Sequence, residues 1–166
     1  QYRLKFTFWY NITNSMNYHS SLMSIPSIED YVSQSFLSSP VIAIGTGGHA
    51  LVNTYQCIHR LLKNQKLIDM IDVILVEGLT AKHQSILDSY IVGEHDNRDD
   101  LAKLWRDSSQ CLSLVGETGI YLEFLNIIRE ANLSLSPDKK IQVLAGDPPI
   151  EWENIHTCLL YTYDAA

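Results

Sequence analysis

Three short apolar runs constrain this chain more than any other feature. Residues 41–44 read Val-Ile-Ala-Ile, 73–76 read Val-Ile-Leu-Val, and 141–145 read Ile-Gln-Val-Leu-Ala. Continuous apolar segments of this length, rich in Val and Ile, are expected of strands covered on both faces. Each runs directly into a polar turn that carries glycine: Gly45-Thr46-Gly47-Gly48-His49, Glu77-Gly78 and Gly146-Asp147-Pro148-Pro149. Between the first two runs, Leu51, Tyr55, Ile58, Leu61 and Leu62 recur at helical spacing, which predicts a helix over 51–64. Strand, helix and strand over 41–76 make a βαβ unit, whose strands should be parallel with a right-handed crossover. The expected fold class is therefore α/β, with a mainly parallel central sheet and helices on both faces.

Local signals place the remaining helices. Ser27-Ile28-Glu29-Asp30 resembles a capping box with Asp in the fourth place, and opens a helix over 28–37. Thr80 can cap a helix over 81–91 that stops at Gly93, where a left-handed backbone suits glycine. Asp99 and Asp100 suit the first turn of a helix over 101–106 by their interaction with its dipole. The longest predicted helix covers 117–131, with Ile120, Phe124, Ile127 and Ile128 on one face.

Composition narrows the function classes. Hydrophobic residues make up 46% and charged residues 19%, which is globular rather than disordered composition. A formal charge of −7 repels phosphate backbones, so nucleic acid is not an expected partner. No apolar run reaches the roughly 18 residues that a membrane span needs. Cys57, Cys111 and Cys158 form neither a disulfide framework nor a zinc pattern.

Both ends differ in character from the middle. Residues 1–15 are aromatic and aperiodic and precede Met16, which is consistent with upstream read-through; a strand over 4–10 is the alternative. Residues 158–166 (CLLYTYDAA) resemble the translated end of a transposon-derived sequencing adapter, with a C-terminal strand as the alternative. Residues 16–157 are then the N-terminal part of one α/β domain, and the domain is incomplete.

Chemistry is expected where the strands end. Open parallel sheets bind ligands beyond the carboxyl ends of their strands. The three turns deliver His49, Glu77 and Asp147 to that edge. A carboxylate following four apolar residues is costly to bury unpaired, and His49 is the natural partner for Glu77. A His–carboxylate pair serves as a general base toward water or as part of a metal site. The alternatives are a backbone-bonded helix-start histidine at His49, a structural ion pair at Glu77, and simple turn ordering by Asp147 before Pro-Pro. The glycine-rich turn falls short of a dinucleotide fingerprint, because Ala50 stands where the last glycine belongs, and no P-loop lysine follows. His59 and His83 fall on predicted helices and read as surface or boundary residues. Trp105 and Trp152 read as core residues or as the shield of a cleft edge.

Gly45-x-x-x-His49 after one strand, followed by Val76-Glu77 after the next, resembles the erythromycin-esterase-like group. That group shares a superfamily with the ChaN-like haem-binding proteins and the TraB/TIKI proteins. Motifs over 58–62, 88–93 (D-x-Y-x-x-G) and 146–152 (G-D-P-P-I-E-W) are similar to those of uncharacterised bacterial members. The resemblance implies a hydrolase in which His49 and Glu77 are catalytic and activate water, joined by a histidine late in the domain. It implies a small-molecule substrate or ligand, with Thr46, Gly47, Gly48 and Asp147 lining the cleft. The ChaN-like branch implies instead a non-enzymatic binder of haem or a divalent metal, and a degenerate inactive member is the third reading. Here Thr46 stands in place of the family's glutamate and can donate a hydrogen bond but not act as a carboxylate base. Ala50 replaces the motif's final glycine, and no late histidine matches before Thr157.

Overall fold

A computed structural model of the chain describes residues 26–45, 52–110 and 118–156. Both flanking segments, 1–25 and 157–166, and the turn that carries Thr46, Gly47, Gly48 and His49 lie outside the described residues.

The architecture is mixed α/β. Helix α1 is Ile28–Ser38, α2 is Val52–Leu62, and the single turn α3 is Gln65–Ile68. Strand β1 is Val73–Thr80, followed by a 3-10 turn over Ala81–His83. Helices α4 (Gln84–Val92), α5 (Arg98–Arg106) and α6 (Ile120–Ser134) come next. A 3-10 turn over Pro137–Lys139 leads into strand β2, Gln142–Asp147, and another over Trp152–Asn154 follows.

Helix ends follow the sequence signals. Ser27 Oγ accepts from the Asp30 backbone N–H at 3.1 Å and donates to the Asp30 carboxylate at 2.8 Å. The N-cap half of the capping box is thus made, while the short Asp side chain meets the Ser27 hydroxyl instead of the Ser27 backbone N–H. Helix α4 stops at Gly93, whose φ of +95° is left-handed, as the glycine signal predicts. Helix α5 starts three residues earlier than its apolar pattern suggests, because Asn97 accepts from the Asp99 backbone N–H at 3.0 Å and caps it.

The sheet differs from the expectation. Among the described residues β1 pairs in parallel with β2, with Ile74 opposite Val143 and Val76 opposite Ala145. Residues 41–45 form no strand, so the βαβ unit expected over 41–76 is not made. Two local causes are visible. The Ser39 hydroxyl donates to the Val41 carbonyl at 2.7 Å and accepts from its N–H at 3.3 Å, which occupies backbone groups a ladder would use. Ile42 and Ile44 instead pack on a small cluster of Val32, Phe36, Leu61 and Leu67. An apolar run signals burial, and here helices rather than a strand partner supply it.

The principal core lies on one face of the sheet. Leu79, Leu87, Leu101, Leu104, Leu125 and Ile128 are fully enclosed, each stabilising by about 1.5–3 kcal/mol through removal from water. Ile74, Val76, Val143 and Ala145 pack against this core from the two strands. Leu75 and Leu144 alternate onto the other face and are half-buried. No helix among the described residues is long and apolar enough to cross a membrane.

Candidate functional site

The carboxyl ends of β1 and β2 carry a dense polar cluster. Strand β1 does not end at Glu77 but continues to Thr80, through an irregularity between Val76 and Thr80 that sets Glu77, Gly78 and Leu79 opposite Gly146. The backbones come close there: a Cβ on Gly146 would lie 3.2 Å from the Val76 carbonyl oxygen and 3.3 Å from the Glu77 Cα. A side chain at position 146 would fit only if the β1 backbone gave way by a few tenths of an ångström.

Beyond the bulge the chain turns sharply. Thr80 Oγ1 accepts from the Lys82 backbone N–H at 3.3 Å and donates to the Pro148 carbonyl at 3.0 Å, stapling the exit of β1 to the exit of β2. Lys82 then reaches the Glu151 carboxylate at 2.6 Å and lies 3.7 Å from that of Glu153. The bond to Glu151 holds the lysine above its usual pKa. His83 closes the turn, with its Nε2 2.6 Å from an Asp107 carboxylate oxygen. Asp107 is the first residue past α5, and its carbonyl accepts from the Trp152 indole N–H at 2.7 Å. The His83 and Asp107 side chains are 16% and 38% exposed, open enough for water to reach the pair.

This geometry has a chemical meaning. A carboxylate only accepts, so Nε2 carries the proton of that bond, and in the neutral form of the ring Nδ1 keeps its lone pair. Nδ1 has no hydrogen-bond partner among the described residues. A neutral imidazole oriented by a carboxylate, with a free basic nitrogen, is the arrangement of a general base.

The residues singled out from the sequence are redistributed. Glu77 is exposed in the middle of β1, and its carboxylate makes no hydrogen bond or ion pair among the described residues. The burial that was expected to force a partner on it is absent. Its charge does bear on Tyr121, whose phenol is pushed up chiefly by burial, then by the Tyr55 hydroxyl 3.4 Å away, and least by Glu77. Asp147 does stand at the end of β2, but it is only 3% exposed. Both its carboxylate oxygens are taken by Ser109, one by the backbone N–H at 2.7 Å and the other by the hydroxyl. It orders a loop instead of lining a cleft. Thr46, Gly47, Gly48 and His49 lie outside the described residues.

His59 is corrected, whereas His83 keeps the boundary position expected of it. His59 is buried at 6%, with Nδ1 3.4 Å from Glu123 and an unpartnered Nε2, so it is no surface residue. His83 belongs to the strand-end cluster. Periodicity placed it on a helix, but a signal existed in Thr80, whose capping tendency puts His83 one turn past the strand. Asp107 carried no signal, because only folding brings it across 24 residues to His83. Trp105 is core, stacked on Tyr121 at a centroid distance of 6.0 Å, and Trp152 edges the cluster.

The cofactor expectation can be tested on the donor set. Among the described residues no group of three His, Cys, Asp or Glu side chains converges as a metal site. Cys57 is half-buried and lies outside the strand-end cluster. No step is therefore derived through a metal held by the described residues. Compared with protein-family models, curated proteins and solved structures, the chain matches none.

Proposed function

We propose that this chain is a hydrolase of the erythromycin-esterase-like kind, which activates water with a His–carboxylate pair at the carboxyl ends of its strands. The observation that carries the reading is the 2.6 Å contact between His83 Nε2 and Asp107, beside the exits of both strands. In this mechanism Asp107 fixes the imidazole, and Nδ1 takes a proton from water as its oxygen attacks an ester carbonyl carbon. The tetrahedral adduct collapses, the carbon–oxygen bond to the alcohol breaks, and the imidazolium returns the proton to the leaving alkoxide. Asp107 remains a carboxylate throughout and stabilises the imidazolium. The proposal carries with it that group's fuller architecture, a larger parallel sheet with helices on both faces. The half-covered face bearing Leu75 and Leu144 leaves room for it.

The test is turnover of a panel of small chromogenic esters by the 166-residue chain. His83→Ala and Asp107→Ala should each lower kcat by about 10²–10⁴-fold, the usual worth of a positioned base. His49→Ala and Glu77→Gln belong in the same panel. Loss of turnover in those two, with His83→Ala unaffected, assigns the chemistry to the pair that the sequence resemblance implies. Unchanged turnover in His83→Ala and Asp107→Ala sinks the dyad.

A further inference from the structure

We infer that residues 146–152 form the positioning element of the His83–Asp107 pair, with Asp147 as its principal residue; the inference rests on the reading of that pair given above. The two partners arrive on separate arms of the fold. His83 ends the turn that leaves β1, and Asp107 begins the loop that leaves α5. Each arm is tied to the same short segment.

On the His83 side, Thr80 donates to the Pro148 carbonyl, and Lys82 holds Glu151 at 2.6 Å with the Ile150 carbonyl at 3.5 Å. Ile150 is itself buried, which pins the segment to the body of the protein. On the Asp107 side there are two anchors. Trp152 donates to the Asp107 carbonyl, and Asp147 grips Ser109, two residues further on, through both carboxylate oxygens. Gly146 lets the segment start tight against β1.

The physical need is plain. A catalytic pair must be held to within about 0.5 Å, and a loop past a helix end does not supply that by itself. Asp107 has its own backbone held on one side and its second neighbour held on the other, which fixes where its side chain points. Asp147 makes no hydrogen bond to His83 and acts through Ser109. It is a positioning residue, and its burial is tolerated because both oxygens are satisfied. The G-D-P-P-I-E-W motif thereby receives a role for nearly every member.

The readout is the downfield proton resonance of a hydrogen-bonded imidazole Nε2–H, recorded on the full chain with labelled histidine and assigned by its loss in His83→Ala. The wild-type protein should show it and Asp107→Ala should abolish it. Asp147→Ala should speed its exchange with solvent by at least about tenfold, while Asp147→Asn preserves it, since an amide can accept from the Ser109 N–H and donate to its hydroxyl. Core methyl resonances of Leu125 and Ile128 report whether each variant is folded. If Asp147→Ala does not fold, Trp152→Phe removes the indole N–H bond to the Asp107 carbonyl and should show the same faster exchange. A wild-type exchange rate in folded Asp147→Ala, or in Trp152→Phe where the alanine variant fails, overturns the positioning role and leaves the dyad standing. A resonance absent from the wild type, or surviving Asp107→Ala, removes the dyad and this inference with it.

Discussion

The two ends of the sheet solve the same problem with different chemistry. Both must satisfy buried polar groups where strands stop and loops begin. At the amino end the solution is a neutral amide. Asn132 on α6 is fully buried, accepts from the Ile141 N–H at 2.7 Å and donates to the Ile141 carbonyl at 2.9 Å. One side chain brackets one residue just before β2, and the Gln142 N–H donates to the Asp72 carbonyl beside it at 2.9 Å. At the carboxyl end the groups are ionisable and half-exposed: Lys82 with Glu151, His83 with Asp107, and beneath them the enclosed Asp147. A saturated neutral network has no capacity left for a substrate and serves only the fold. A partly exposed pair with one nitrogen free keeps a valence for chemistry.

Breaking the amino-end clamp should have the largest effect on stability. Asn132→Ala strands the Ile141 N–H and carbonyl in the core, and should cost about 2–4 kcal/mol, measured by urea unfolding. His83→Ala, at the other end, should shift the same unfolding curve by under about 1 kcal/mol, since the ring is near the surface. Equal losses in the two variants would erase the contrast between a fold clamp and a chemical pair.

A smaller effect is expected at the bulge. Gly146→Ala introduces a Cβ at 3.2 Å from a backbone oxygen that cannot swing away. It should cost about 1–3 kcal/mol by overpacking. It should also loosen the strand exits that carry Thr80 and Asp147. A fully neutral Gly146→Ala would mean that the strands part easily there, and that the carboxyl end is less rigid than the amino end.

The smallest expected effect is a pH dependence from surface carboxyls remote from both ends. A backbone N–H, with Arg60 adding to it, holds Glu29 below the usual carboxylate range, and the Lys103 ammonium does the same chiefly for Asp100. A carboxyl lowered by folding stabilises above its unfolded pKa and loses that contribution as pH falls through the folded value. Stability should therefore decline from about pH 5 downward, read as the urea midpoint across an acid series. Replacing Arg60 and Lys103 by Met should flatten that slope. An unchanged slope would remove Glu29 and Asp100 as the source of the acid sensitivity.

Much of the chain was legible because its signals are local. Ser27 caps α1, Thr80 caps the turn after β1, and Gly93 ends α4 in the left-handed region, each through groups within a few residues. The runs at 73–76 and 141–145 form the parallel pair. The run at 41–44 has the same composition and forms no strand, since apolarity specifies burial and not the partner that provides it. The site was legible only in outline. The edge was named from topology, but Glu77 stops short of it because two extra residues in the bulge carry β1 on to Thr80. Asp147 reaches the edge and is spent on Ser109.

The sequence by itself determined where most helices are capped, and that polar groups gather where strands stop, but not which of its three apolar runs pair as strands. Short-range capping, glycine's freedom at positive φ and the burial of Val and Ile act within the chain's own neighbourhood, so they are written in local order. Only the tertiary structure decided which histidine meets which carboxylate. His83 and Asp107 are joined across 24 residues, and both are tied to residues about 40 to 70 positions away, Trp152 for Asp107 and Pro148 and Ile150 for the turn that carries His83. Contacts of that range are set by how α4, α5 and α6, which separate the two strands in sequence, pack against the paired strands, and no spacing in the sequence encodes them.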